Sequence, residues 1–397
     1  MQDHTPRPGT DSVRRRNLSR LLRVVHLSNG VSRAELTAVL ELNRSTIADL
    51  VAELTEADLV VEETPSERGR VGRPSPIVRP GSIPAAIAVN PEIDAITVAI
   101  VGLDGRVIRR ERHGVLSIPT PAGAVEITTH LVASLLSAVG PAHRIVGMGV
   151  AVPGLVRFAD GLVRLAPHLE WRDVPIASML AEAMGMPVVA ANDAHLGCLA
   201  ESAFGAGRAV DHVVYLNGGA SGIGGGVFAS GAPLTGVDGL AGEFGHTFVR
   251  TEGVACHCGA RGCLETEVRR EPLLRLLGLA DGNPDTLDVA LAGSDNQLVL
   301  DEVHRQLGFL AIALRNSINI LNPQLVILGG FLGSLYAKDP AHLESIVSTS
   351  SLSAPRASAR IEVAQLGADI LLIGAAELAF EATLADPASF GRHRPED

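Results

Sequence analysis

The spacing of hydrophobic residues changes once along this chain, near residue 85. Before that point it is helical. Leu18, Leu21, Leu22 and Val25 share one face of a helix expected over roughly Val13–Leu27. Ile47, Leu50, Val51 and Leu54 keep the i, i+3, i+4, i+7 spacing of a second buried helical face. Between them Ser32-Arg33-Ala34-Glu35 has the form of a capping box, opening a short helix that runs through Val39. The break Glu41-Leu42-Asn43 joins this helix to the next, and two short helices so joined make a helix-turn-helix. The second begins with Arg44, Ser45 and Thr46, short polar or cationic groups suited to base edges and phosphates. A basic, glycine-containing loop, Glu67–Pro74, follows Leu59-Val60-Val61 and lies between two strand-like runs, as a wing does. Its Arg68, Arg70 and Arg73 are placed to reach phosphate or the minor groove. Residues 1–12, rich in Pro, Asp, Thr and Gly, are expected to be disordered. The prolines at 65, 74, 76, 80 and 84 mark a linker, so 13–80 reads as one domain and 81–397 as another.

Beyond residue 85 short apolar strands alternate with helices. Ala85–Val89, Ala95–Val101 and Arg106–Arg112 read as a meander with a tight turn at Asp104-Gly105. A helix near Gly123–Val139 follows, then a strand Ile145–Val152 and a strand Pro187–Ala191 ending in Asn192-Asp193, where another helix starts. His212–Leu216 leads into a glycine-rich run at 218–226. A long helix, Gln297–Ile320, leads to the strand Leu325–Leu328 and Gly329-Gly330. Two successive halves of this kind predict an α/β fold with two lobes and a cleft between them.

Charge separates the two regions. The net charge of -11 opposes nucleic-acid binding by the chain as a whole. Residues 1–80, however, carry 12 arginines against 11 acids, while the remainder carries 21 basic against 33 acidic residues. Only the first eighty residues are electrostatically tolerable beside phosphate. Glu41, Asp49, Glu53, Glu56 and Asp58 dilute that footprint and favour a plain helical packing module with an arginine-rich linker as the competing interpretation. No apolar run is expected to span a membrane, and the polar, arginine-bearing N-terminus lacks the apolar core of a signal peptide, so the expected compartment is the cytoplasm.

Three of the four cysteines fall within Cys256-His257-Cys258-Gly259-Ala260-Arg261-Gly262-Cys263, and His246 lies ten residues upstream. Cys256, Cys258, Cys263 and His246 form a full tetrahedral set for structural zinc, with Gly259 and Gly262 letting the loop fold back. A disulfide is the alternative in an exported chain. His257 is the alternative fourth ligand, but it is poorly placed between two ligating cysteines. Glu243 and Glu265 are not needed as ligands. Cys198, in a helix-like stretch, reads as a small core residue.

These features together resemble the ROK (repressor, open reading frame, kinase) family, specifically its regulators of the N-acetylglucosamine/xylose repressor type. The resemblance rests on Gly242-Glu243-Phe244-Gly245-His246, the cysteine run ending in Glu265, Asn192-Asp193, Val152-Pro153-Gly154 and Leu321-Asn322-Pro323-Gln324 followed by Gly329-Gly330. It implies a winged helix-turn-helix ahead of a two-lobed actin-like (ribonuclease H-like) domain. It implies a sugar held by Asn192, Asp193, Glu243, His246 and Glu265, with Gly154 nearby, and assembly as a homodimer or higher homo-oligomer. Carboxylates and an amide suit the paired hydroxyls of a sugar, and a metal on one nitrogen of His246 orients the other. Asp193 at a strand–helix junction also suits a helix N-cap, and Glu243 and Glu265 suit solvated loop charges. His168 stands where relatives often carry Asn.

The family contains kinases and regulators. In a kinase Asp193 would be the general base toward ATP. Family kinases carry Asp-x-Gly-x-Thr in the first strand turn, whereas this chain has Val89-Asn90-Pro91-Glu92-Ile93-Asp94. Pro91 removes a donor and Glu92 adds negative charge. Ala220 and Ser221 replace the Gly and Thr of the second phosphate loop. The expectation is therefore a sugar-responsive regulator that binds double-stranded operator DNA and lacks kinase turnover.

Overall fold

The computed structural model describes residues 10–28, 30–63, 75–219, 221–279 and 284–391. The chain divides into two compact units, one made of 1–150, 177–189 and 375–397, the other of 151–176 and 190–374.

The first unit opens with the helix Thr10–His26, which buries Leu18, Leu21, Leu22 and Val25. It starts ahead of its apolar face, so residues 10–12 of the stretch expected to be disordered are helical. A nucleated helix extends through polar residues without needing them buried. The capping box at Ser32 is present. Its hydroxyl accepts from Glu35 N at 3.1 Å, and the Glu35 carboxylate accepts from Ser32 N at 2.8 Å. The helix Arg33–Leu40 ends at Glu41, which takes the left-handed conformation. Asn43 then caps the helix Arg44–Glu56, its Oδ1 accepting from Thr46 N at 2.8 Å. Ile47, Leu50, Val51 and Leu54 of that helix are buried, as their spacing predicts. The strands Val60–Glu63 and Ile77–Pro80 pair antiparallel, and Val31–Ser32 adds a third strand beside Ile77–Pro80. Three helices and this small three-stranded sheet have the element order of a winged helix-turn-helix. Arg68, Arg70 and Arg73 lie outside the described residues. Only residues 81–83 separate its last strand from the next sheet.

That next sheet has five strands, in the order Val188–Asn192, Arg144–Val152, Pro84–Pro91, Ala95–Gly102 and Val107–Gly114. The second unit holds a sheet in the order Ala232–Pro233, Gly222–Ala229, Val213–Gly219, Leu325–Gly330 and Arg360–Val363. Counted in chain order, each sheet places its first strand centrally, the next two antiparallel on one side and the last two on the other. The same topology thus occurs twice, as the doubled α/β architecture requires.

Some features depart from the sequence reading. The strands Leu155–Arg157, Leu162–Ala166 and Trp171–Val174 form a separate antiparallel sheet, too short in each strand for alternation to show. The helix Ile370–Ala385 carries apolar residues around most of its circumference, which blurs its period, and most of these are buried. The segment Pro121–Ala142 is, contrary to the sequence expectation, long and apolar enough to cross a membrane, with a mean hydropathy of 1.4. Here its helix instead packs on the sheet strands Ala95–Gly102 and Val107–Gly114, burying Ala124, Val132 and Leu135.

Within the first unit the first helix lies against the C-terminal one. His26 Nε2 meets the Glu377 carboxylate at 2.8 Å and His26 Nδ1 meets the Leu103 carbonyl at 2.6 Å, with both side chains buried. Ser19 donates to the Leu384 carbonyl at 2.7 Å, and Arg23 forks onto Glu381 at 2.5 and 3.0 Å. Burial alone would depress the His26 imidazole, but the Glu377 charge and the bonds to Glu377 and Leu103 raise it above its ordinary 6.5. A raised histidine stabilises the fold fully below about pH 6.5 and loses that contribution as pH climbs through the raised value. We expect His26→Ala to lower stability by about 3 kcal/mol near neutral pH. Denaturant melts should show the gap to wild type narrowing steadily into the alkaline range, and a gap independent of pH would show that the pair is uncharged.

Candidate effector and metal site

All candidate effector and metal residues belong to the second unit. The cysteine loop is closed by short backbone bonds, Cys256 N to Ala260 O and Gly262 N to Val254 O, each at 2.9 Å, and is joined to the turn Phe244–His246 by Leu264 N to Thr247 O at 2.9 Å. Gly262 has φ +74°, and a Cβ there would collide with the Arg250 carbonyl oxygen. Only glycine closes the loop in this way. Ligand atoms of His246, Cys256, Cys258 and Cys263 all lie within 4.8 Å of one another. His246 Nδ1 is 3.6 Å from Cys256 Sγ, and Cys258 Sγ is 3.7 Å from Cys263 Sγ. The Ala260 N–H donates to Cys258 and holds its thiol below the ordinary value. Three sulfurs and one imidazole nitrogen fit a tetrahedral thiophilic ion, so this cluster can hold a metal. His257 is exposed and turns its Nδ1 to Glu265 at 3.2 Å. Glu265 stands closer to the cluster than its sequence position suggested, with Oε1 3.1 Å from Cys256 Sγ and 3.5 Å from His246 Nδ1. Cys198 is a core residue away from this set, its thiol pushed up to about 12 by burial.

His246 has its second nitrogen on the other side. Nε2 faces the Glu243 carboxylate at 4.0 Å. Burial pushes the Glu243 carboxyl above its ordinary value; the charge of Glu265 adds to this and His246 opposes it. Glu243, His246 and Glu265 therefore form one group. Asn192 and Gly154 form another, with the Asn192 amide donating to the Gly154 carbonyl at 2.9 Å. Asn192, not Asp193, caps the helix Asp193–Phe204, its Oδ1 accepting from His195 N at 3.0 Å. Asp193 is the first helical residue, its carboxylate accepting from Ala194 N at 2.8 Å.

His195 connects the two groups, and sequence reasoning missed it. Its Nε2 bonds the Ala241 carbonyl, tying the start of the helix to the loop that carries Glu243. Burial holds its imidazole below 6.5, so it is neutral there. The only available signal was its place one turn into the helix after Asn192-Asp193. A pocket of about 280 Å³ opens beside Glu265, lined also by His168, His257, Gly219, Ser221 and Gly222. Of the expected sugar residues, only Glu265 lines it.

The glycine-rich run is a hairpin, Gly219 pairing with Gly222, and Ala220 lies outside the described residues. In the first unit Asn90 and Pro91 pair with Thr97 and Ile96, so both belong to the strand. Glu92 N donates to Ala95 O at 2.8 Å, closing the turn on itself.

The sequence pattern described as "ROK family" matches residues 87–382. The chain belongs to the ROK family. A putative xylose repressor from Caldicellulosiruptor sp. is 27% identical over 376 residues, which is 90% of this chain and 93% of that protein. A glucokinase from Thermotoga maritima is 34% identical over 253 residues, which is 59% of this chain and 78% of the kinase. A crystal structure of a ROK family transcriptional regulator, a homologue of the E. coli MLC protein, superposes with a TM-score of 0.77 at 22% identity, covering 96% of this chain and 99% of that one. The fold of that regulator covers nearly the whole chain, and proteins named as repressors and as kinases both resemble this one.

Elemental analysis of the purified ROK protein is expected to find about one thiophilic metal ion per chain. Cys258→Ser should reduce that content several-fold by removing one of four ligands. Retention of the full metal content in Cys258→Ser would remove the cluster from consideration.

Proposed function

We propose that this protein is a sugar-responsive transcriptional regulator, a repressor of carbohydrate-metabolism genes, acting from the cytoplasm as a homodimer or higher homo-oligomer on an inverted-repeat operator. The observation that carries this reading is the winged helix-turn-helix at the head of a ROK chain. The repressor relative matches 90% of this chain, whereas the glucokinase matches 59%. Arg44 and Ser45 are exposed at the start of the capped helix, where base edges are reached. Glu53, one of the acids that diluted the basic footprint, is paired with Arg14 at 2.5 Å. Arg68, Arg70 and Arg73 add phosphate contacts from the wing by their charge.

In this reading residues 13–80 form the DNA-reading domain and 81–397 the effector domain. The effector is a sugar or sugar derivative bound by Gly154, Asn192, Asp193, Glu243, His246 and Glu265. Paired hydroxyls bridge carboxylate oxygens, and the amide of Asn192, already fixed by Gly154 and His195, offers its remaining proton and lone pair. The cysteine cluster takes structural zinc, which supplies rigidity. His246 binds through Nδ1 and keeps Nε2 toward Glu243 and the sugar.

A kinase is the second reading, favoured by the glucokinase relative and by the retained Asp193. Against it stand the donor-poor strand at Asn90-Pro91 and the charge of Glu92, since phosphoryl transfer depends on a positioned phosphate.

Two experiments test these assignments. Operator titrations should show Arg44→Ala losing about 1–3 kcal/mol and broadening base preference, while Arg70→Ala lowers the salt dependence of binding. The best-binding sugar, found by thermal shift, should move operator affinity of the intact protein by roughly 5- to 150-fold. Unchanged operator affinity in the Arg44, Arg70, Arg73 triple alanine variant would refute DNA recognition by this head. A coupled ADP-release assay with the same sugar should show no turnover above background, and Asp193→Asn should weaken sugar binding instead. Sustained turnover that disappears in Asp193→Asn would establish the kinase.

A further inference from the structure

A second group of metal-ligating side chains occurs in the second unit, outside the residues used so far. His304 lies on the long helix Gln297–Leu321, and Asp339 and His342 lie at the start of the helix Pro340–Ser350. His304 Nε2 is 2.9 Å from Asp339 Oδ2. The His304 and His342 rings stack with centroids 4.2 Å apart and planes at 22°. One ligand atom from each of the three residues falls within 4.8 Å of the other two. Asp339 is the N-cap, and its Oδ1 accepts from His342 N at 3.0 Å, so the backbone fixes the carboxylate with Oδ2 toward His304. The adjacent cation does not compete for it, because Lys338 Nζ turns away to the Ser294 carbonyl at 2.7 Å and the Ala292 carbonyl at 3.3 Å.

We propose that His304, Asp339 and His342 form a second divalent transition-metal site, distinct from the thiolate cluster. Two donors sharing one ion at bond lengths of about 2.0–2.2 Å stand roughly 3 Å apart, which is the separation already present between His304 and Asp339. Binding exchanges their shared proton for the ion, and His342, with a ring nitrogen within 4.8 Å of both ligand atoms, supplies the third donor. Two imidazoles and one carboxylate select borderline ions such as Zn²⁺, Co²⁺ or Ni²⁺ over Mg²⁺. The side chains of His304 and Asp339 are 40% and 34% exposed, so water completes the coordination. The chain contributes three donors from two helices, and the bound ion ties the first turn of Pro340–Ser350 to the long helix. Asp339 alone accounts for the cap and for the bond to His304. The second imidazole stacked on that pair is what the metal site explains.

The probe is Co²⁺, titrated into the full-length protein with its cysteine cluster already loaded with zinc. A further equivalent should bind with the weak visible absorption of a nitrogen–oxygen site and without a thiolate charge-transfer band, and it should raise the melting temperature. His342→Ala, which removes only the stacked ring, and His304→Ala should each weaken this equivalent at least about tenfold while leaving cluster zinc intact. Asp339→Asn keeps an N-cap acceptor but loses the anionic donor, and should weaken it too. Absence of a second equivalent, a thiolate band on it, or unchanged affinity in His342→Ala would each overturn the proposal. None of these outcomes bears on operator or sugar binding.

Discussion

The bare face of the strand Gly222–Ala229 is the constraint on which the effector site rests. A Cβ at Gly224 would stand 2.6 Å from Ala194 Cβ, and one at Gly226 would stand 2.6 Å from Cys198 Cβ. The helix Asp193–Phe204 therefore lies against backbone instead of side chains. Its far end is fixed by Glu201, fully buried, whose carboxylate accepts from Ala206 N at 2.7 Å, Gln365 N at 2.8 Å and Leu366 N at 2.9 Å. Three donors to one buried anion satisfy it without a cation. Its near end is fixed by Asn192 on Gly154. With both ends held, Asp193 and His195 have one register relative to the loop carrying Glu243 and His246.

The glycine run therefore need not bind phosphate to be required. In a kinase the same residues serve a nucleotide, but in this chain their packing role stands without one. The site also explains why Glu265 sits so close to the cysteines. The loop that brings Cys263 back to Cys256 carries Glu265 two residues further on, so knot and pocket wall are built by one turn of chain. Metal-ligating cysteines and the Glu265 carboxylate are thus held together by covalent proximity.

What could be read in advance follows from which forces are local. The capping box at Ser32, the buried face of Arg44–Glu56 and the cysteine spacing are set within a few residues of each other, and each was legible. Asn192 as the cap in place of Asp193 turned on one residue of register, which a strand–helix junction does not encode. His195 could not be recognised because its partner, Ala241, is a backbone carbonyl 46 residues away. The helix Ile370–Ala385 had little period to detect because its apolar residues are spread around it and most of them are buried. The extra sheet at 155–174 is built from strands of three to five residues, too short for alternation to be read. The expected sugar residues came only from family resemblance, since an amide and acids scattered over 74 positions, from Asn192 to Glu265, carry no spacing signal of their own.

The contact between the first and last helices bears on how such a protein can be re-engineered. Regulators of this kind invite treatment as cassettes in which a reading head is cut at the linker and fused to another sensor. Here the head is completed by residues from the opposite terminus. Its His26 pairs with Glu377 and its Arg23 with Glu381, and its Ser19 hydroxyl donates to the Leu384 carbonyl. A chimaera that exchanges residues 1–80 alone would leave a buried carboxylate facing a foreign helix. The partners of the first helix thus lie beyond the linker, on Leu103 and on the stretch from Glu377 to Leu384.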